Sequence, residues 1–133
     1  MNEEMKDGME MMLDHMRADY CGWSRSGMRD ISEEILSESE KRYCDGLHYT
    51  VGQKYIKVSN DGTTEAFVVN TENDKKFRLG DILKPAGWAA PAKNFARGNI
   101  LDRNFDRLRW TGPFLKIGEA VQVVSSTDCK SAV

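Results

Sequence analysis

A chain of 133 residues has room for one sizeable core, and a content of 40% hydrophobic and 30% charged residues excludes a disordered or fibrous polymer. No apolar run approaches the roughly 20 residues that cross a bilayer, and the acidic N-terminus lacks the basic start and apolar stretch of a signal peptide, so a cytoplasmic chain with no membrane partner is expected. The formal charge of −2 conceals a division: residues 1–46 hold 12 acids and 6 bases, residues 47–133 hold 9 acids and 13 bases.

In chain order, residues 1–20 place Met1, Met5, Met9, Met12, Leu13, Met16 and Tyr20 on one stripe at helical spacing, opposite Glu3, Asp7, Glu10 and Asp14. This periodicity predicts an amphipathic helix. Such a helix is marginal alone, so its stripe has to be covered by the chain's own sheet, a second copy or a target protein. Thioethers repack readily against different surfaces, which makes Met5, Met9, Met12 and Met16 candidate partner-binding residues and a homo-oligomer an expected form. Cys21-Gly22-Trp23-Ser24 is expected to interrupt the helix. Met28, Ile31, Ile35, Leu36 and Tyr43 then predict a second one, with Asp30, Glu33 and Glu34 early, Lys41 and Arg42 late, and Gly46 as its C-terminal cap.

From residue 47 the period changes to two. Residues 53–59 and 63–69 flank Asn60-Asp61-Gly62, and Asp-Gly supplies the positive φ angles of a tight hairpin turn. Residues 77–84 predict two short strand pieces around Leu79-Gly80-Asp81, and residues 95–101, 105–110 and 120–124 predict further strands. Two of the three prolines make 85–92 an irregular loop. The expected fold class is α+β: two N-terminal helices followed by a small antiparallel β-sheet or partly closed barrel. The expected division is an acidic helical segment at 1–46, a basic β-domain at 47–125 and a flexible tail at 126–133.

Between Lys75 and Lys116 ten bases face three acids. Trp88 and Phe95 lie among Lys84, Lys93 and Arg97, the combination in which rings stack on bases and cations meet phosphates. Alternation in the following strand would place Arg103, Phe105, Arg107 and Arg109 on one face. These nine residues are the candidate ligand-binding set, for a nucleic acid or a nucleotide. The competing reading is that the rings plug the core and the bases are solvated or face the acidic half.

Catalytic and metal signals are sparse. Cys21, Cys44 and Cys129 follow no zinc-ribbon spacing and fit reduced thiols. Cys44 and His48 with Cys21 give no fourth metal ligand, and His15 stands alone on a helix flank. Gly22-Trp23-Ser24-Arg25-Ser26 lacks the final glycine and the preceding strand of a nucleophile elbow. No phosphate-binding loop or dinucleotide fingerprint occurs. No catalytic residue, metal or cofactor is expected.

The run Lys76-Phe77-Arg78-Leu79-Gly80-Asp81-Ile82-Leu83-Lys84 continues in Gly87-Trp88, Ala90-Pro91-Ala92, Asn94-Phe95-Ala96-Arg97-Gly98-Asn99 and Arg109-Trp110-Thr111-Gly112. With Cys21-Gly22-Trp23-Ser24 and Lys54-Tyr55-Ile56-Lys57-Val58 upstream, it resembles small accessory proteins of tailed bacteriophages. The resemblance implies a setting, infection of a bacterial host and its cytoplasm, and carries no activity over residue by residue. The function expected is a non-enzymatic phage accessory protein that interferes with host defence or nucleic-acid machinery by binding a host protein. The alternative is a nucleic-acid or nucleotide binding module using the basic aromatic β-half, and a small enzyme ranks third.

Overall fold

The methionine stripe forms the spine of helix α1 (Glu3–Ser26), where Met5, Met9, Met12, Leu13 and Met16 are all at most 3% exposed. The computed structural model describes residues 1–26 and 32–114. The strand expected at 120–124, the tail at 126–133, Asp30 and the helical positions Met28 and Ile31 lie outside the described residues.

The expected interruption at residues 21–24 does not occur. A glycine inside a helix costs only about 1 kcal/mol relative to alanine, and tertiary contacts override it. Trp23 lies against Tyr20 and Trp110, with ring centroids 5.8 and 4.8 Å away. The Ser24 hydroxyl donates to the Cys21 carbonyl and to Glu40.

Helix α2 (Glu33–Gly46) begins at Ser32, whose hydroxyl accepts from the Ile35 N–H, with Glu33 and Glu34 in the first turn. At its other end Gly46 is the last helical residue and Leu47 is the cap, returning its N–H to the Tyr43 carbonyl. The Asn60 side-chain amide donates to that same carbonyl at 3.0 Å. A Cβ on Gly46 would stand 2.7 Å from Asn60 Oδ1, so glycine is needed here for close approach and not for a left-handed turn.

Strands β1 (Leu47–Val51), β2 (Tyr55–Asn60), β3 (Thr63–Val69) and β4 (Ile82–Leu83) form an antiparallel sheet in that spatial order. Strands β5 (Leu108–Arg109) and β6 (Gly112–Pro113) form a separate two-stranded ladder. The main sheet is open, with β1 and β4 as edges, so of the two expected architectures the sheet is the one found. The hairpin is as expected: Asp61 and Gly62 have φ of 52° and 83° between β2 and β3. β1 has only a partial apolar alternation and was not foreseen.

The strands expected at 95–101 and 105–110 shrink to isolated bridges and the two residues of β5. The cause is Asn99, 4% exposed, whose amide takes the place of a ladder. It donates to the Leu79 carbonyl and to Asp81, and accepts from the Leu101 and Asp102 N–H groups. Arg103, at φ 55°, then turns the chain.

Strand alternation gives the sheet two unlike faces. Ile56, Val58, Ala66, Val68 and Ile82 point to α1 and join its methionines, Tyr43, Leu47, Ile100 and Leu108 in one cluster. That cluster crosses the change of composition at residue 46. Met5, Met9, Met12 and Met16, expected as partner-binding residues, are covered instead within the chain's own core, which takes these four side chains out of water. The opposite face carries Phe67, Val69, Phe77 and Leu83, with Tyr55 and Ala96 against them. No described helix covers this second face; loops do.

Two places show how tightly the elements are drawn together. Gly8 is buried in α1 beneath the turn at residues 100–103, where a Cβ would meet the Ile100 carbonyl at 3.0 Å. Gly112, at φ 109°, brings β6 against the Glu65 carbonyl of β3. Glu65 is the extra residue of a β-bulge, since Val58 pairs with Ala66 while Ser59 pairs with Thr64. The bulge leaves its carboxyl half-buried, and desolvation raises it to about 7.

Two outcomes are expected. Met16→Ala should lower unfolding stability by about 2–5 kcal/mol, whereas Met11→Ala, at a position 46% exposed, should stay within about 0.5 kcal/mol in the same denaturant titration. For Glu65, an unfolded glutamate ionises near 4.5 and the folded one near 7. Its contribution to stability is therefore fullest below the unfolded value and is lost as pH rises through the folded one. Glu65→Gln should raise the melting temperature at pH 8 and bring a smaller gain at pH 4.5; a gain independent of pH would contradict the assignment.

Candidate functional site

The loop-covered face of the sheet is where the cations gather. Residues 71–77 are shaped by their own side chains: Thr71 accepts from the Asn73 N–H, and Asp74 accepts from the N–H groups of Lys76 and Phe77 at 2.8 and 2.9 Å. Phe77, 7% exposed, anchors this loop in the small core on that face. The Lys76 ammonium donates to the Lys93 carbonyl at 2.9 Å, tying the loop to the segment that follows β4. Between them runs a groove of about 640 Å³ lined by Gln53, Lys54, Thr71, Asn73, Asp74, Lys75, Lys76, Phe77 and Lys93.

The groove is cationic. Among the described residues, Lys54, Lys75, Lys76 and Lys93 make no ion pair with a carboxylate. Lys54, in the turn between β1 and β2, and Lys93, after β4, each stand 5.9 Å from the centre of the Tyr55 ring. The only acid in the lining is Asp74, whose Oδ1 accepts from two backbone N–H groups. Those bonds, and then the charges of Lys54 and Lys93, hold its carboxyl below the usual range. The lining thus holds four ammonium groups and one carboxylate.

Two residues along β2 from Tyr55, and on the same face, stands Lys57. Its ammonium lies 4.9 Å from the Trp88 ring centre, and Trp88 is 75% exposed. Consecutive residues on one face of a strand are about 7 Å apart, so the Trp88 ring continues the groove along the sheet. The ring sits on the irregular loop expected at 85–92. That loop is closed at its neck by the Pro85–Pro91 bridge and by the Ala92 N–H to Lys84 carbonyl bond, and Thr64 pins it by donating to the Trp88 carbonyl.

Of the ligand-binding residues expected from sequence, Lys93 lines the groove, Trp88 extends it, and Lys84 is exposed at the neck of the loop. The others are placed differently. Arg97 is 4% exposed; its guanidinium lies 4.3 Å from the centre of the Phe95 ring and donates to Asn94 Oδ1 and the Phe95 carbonyl. Burial, and then the charge of Arg107, lower its pKa from the ordinary arginine value. Phe95 is left 38% exposed beneath that cation.

The single basic face drawn from Arg103, Phe105, Arg107 and Arg109 is not assembled, because the chain is strand only at residues 108–109. Arg103 donates to the Ile100 carbonyl, and Phe105 packs on the His15 ring at the edge of the main core. Arg109 pairs with Asp19 of α1, which also accepts from the Trp110 N–H. Here the basic half does meet the acidic half of its own chain. Arg107 is half-buried.

Sequence reasoning missed Lys54, Tyr55, Lys57, Lys75 and Lys76. The available signal was the hairpin's outward face: alternation that buries Ile56 and Val58 must turn Tyr55 and Lys57 the other way. Elsewhere, the His15 imidazole is hydrogen-bonded to the Leu108 carbonyl and His48 to the Gly46 carbonyl. Among the described residues no group of three histidines, cysteines or carboxylates is arranged to hold a metal ion. No described helix is long and apolar enough to cross a membrane. Comparison with protein families, curated proteins and solved structures found no match to this chain.

Proposed function

We propose that the protein is a non-enzymatic binding protein for single-stranded nucleic acid, with phosphates in the lysine groove and an unpaired base on Trp88. The observation that carries this reading is the continuity of the two features on one face of β2. Lys54, Lys75, Lys76 and Lys93 form a cationic track without carboxylate partners, and a largely exposed indole lies at its end. An indole 75% exposed presents an open ring face, and bases stack on such rings whatever their sequence. An unpaired base offers that face, whereas a base inside a duplex does not.

The phage resemblance supplies the setting, so the nucleic acid would be one met during infection of a host cell. The other reading, occupation of a host protein by Met5, Met9, Met12 and Met16, requires side chains that the fold places in its core.

The test is a binding titration with a short single-stranded oligonucleotide at several salt concentrations. If each groove lysine neutralises one phosphate, log K should fall with log salt with a slope of about −3, and Lys54→Ala or Lys93→Ala should each reduce that slope by about 0.7. Trp88→Ala should cost about 1–3 kcal/mol at every salt concentration while leaving the melting temperature unchanged. Arg109→Ala should leave the slope as it is. Absence of binding at low salt, or a slope governed by Arg103 and Arg109, would overturn the proposal.

A further inference from the structure

Away from the groove, the seam between α1 and α2 brings two thiols together. Three contacts set the register of these antiparallel helices. The Tyr20 and Tyr43 rings stack with centroids 4.4 Å apart and planes 4° apart, the Ser24 hydroxyl donates to Glu40 at 3.1 Å, and Arg25 Nε donates to the same carboxylate at 2.6 Å. Arg25 also grips Glu33 through both of its terminal nitrogens. One helical turn from that Ser24–Glu40 bond, three residues back along α1 and four on along α2, stand Cys21 and Cys44, both free and partly buried.

We infer that Cys21 and Cys44 are a disulfide-forming pair, through which a small-molecule disulfide oxidant closes a covalent latch between the two helices. The site is independent of the groove. The stacked tyrosines on one side and the Ser24–Glu40 bond on the other keep Cys21 and Cys44 on the facing sides of the two helices before any bond exists.

The chemistry is thiol–disulfide exchange in two steps. The thiolate of one cysteine attacks a sulfur of the oxidant, forming a mixed disulfide and releasing one thiolate. The thiolate of the second attacks the protein-side sulfur and releases the other. Two protein thiols are oxidised to one disulfide, one oxidant disulfide is reduced to two thiols, and the two protons from the cysteines end on the released thiolates. Burial, followed by the charge of Glu40, holds the Cys21 thiol above its ordinary range, so exchange is slow near neutral pH and quickens as pH rises.

The experiment uses the full chain with Cys129→Ser, which removes the third thiol, and oxidised glutathione as the probe. The expected product is a monomer lighter by about two hydrogens with a Cys21–Cys44 link in its peptide map, since the second exchange step is intramolecular. Closing a loop of roughly two dozen residues in a domain of this size should raise the melting temperature by roughly 10 °C, and reduction should reverse the gain. Adding Cys44→Ser should leave one glutathione on Cys21 with no such rise. Persistent glutathione adducts on the unsubstituted pair, a linked dimer, no reaction of the folded chain, or a link that leaves the melting temperature unchanged or lower would overturn the inference.

Discussion

Four methionines and a leucine on α1 pack against Ile56, Val58, Ala66, Val68 and Ile82, and this contact decides what each remaining surface is for. A stripe of that width cannot stay in water, and the chain supplies one sheet face that matches it. Once the face is taken, the acidic residues of α1 and α2 face outward or bind locally, as Asp19 does with Arg109 and Glu40 with Arg25. Removing the stripe from the surface also removes the methionines from any contact with a partner.

The second face of the sheet follows from the first. With no described helix to cover it, Phe67, Val69, Phe77 and Leu83 are shielded by loops, and loops can present long side chains that a packed helix would bury. Lys75, Lys76 and Lys93 stand on those loops, Lys57 on the strand beside them and Lys54 in the turn that leads into it. Asp74 and Thr71 stiffen the first loop through backbone N–H groups, and the proline bridge stiffens the second. The lysines are thereby held in proximity by the fold itself, which would lower the ordering cost of the proposed binding.

Much of the fold was legible in the sequence because it is written in periodicity. The α1 stripe, the Asp61-Gly62 hairpin and the irregular loop around Trp88 each follow from local rules. The rest depends on contacts that periodicity does not encode. The helix runs through Gly22 because Trp23 finds Trp110 far along the chain. The chain leaves strand geometry at residues 99–103 because one asparagine side chain satisfies four backbone and carboxylate partners. The site was half legible for the same reason. Trp88, Lys84 and Lys93 stand out in a basic, aromatic segment, but charge counting could not tell a lysine on an open loop from Arg97 folded under its own asparagine or Arg109 paired with α1. Which basic residues remain free is a tertiary property.

The most direct measurement of the central claim is an NMR titration of the full chain with a short single-stranded oligonucleotide at low salt, following backbone amides and tryptophan indoles. The account predicts that shifts concentrate at Lys54, Tyr55, Lys57, residues 71–77, Lys93 and the Trp88 indole, while the indoles of Trp23 and Trp110 stay in place. Shifts centred on Arg103, Arg109 and α1, with the Trp88 indole unmoved, would contradict it.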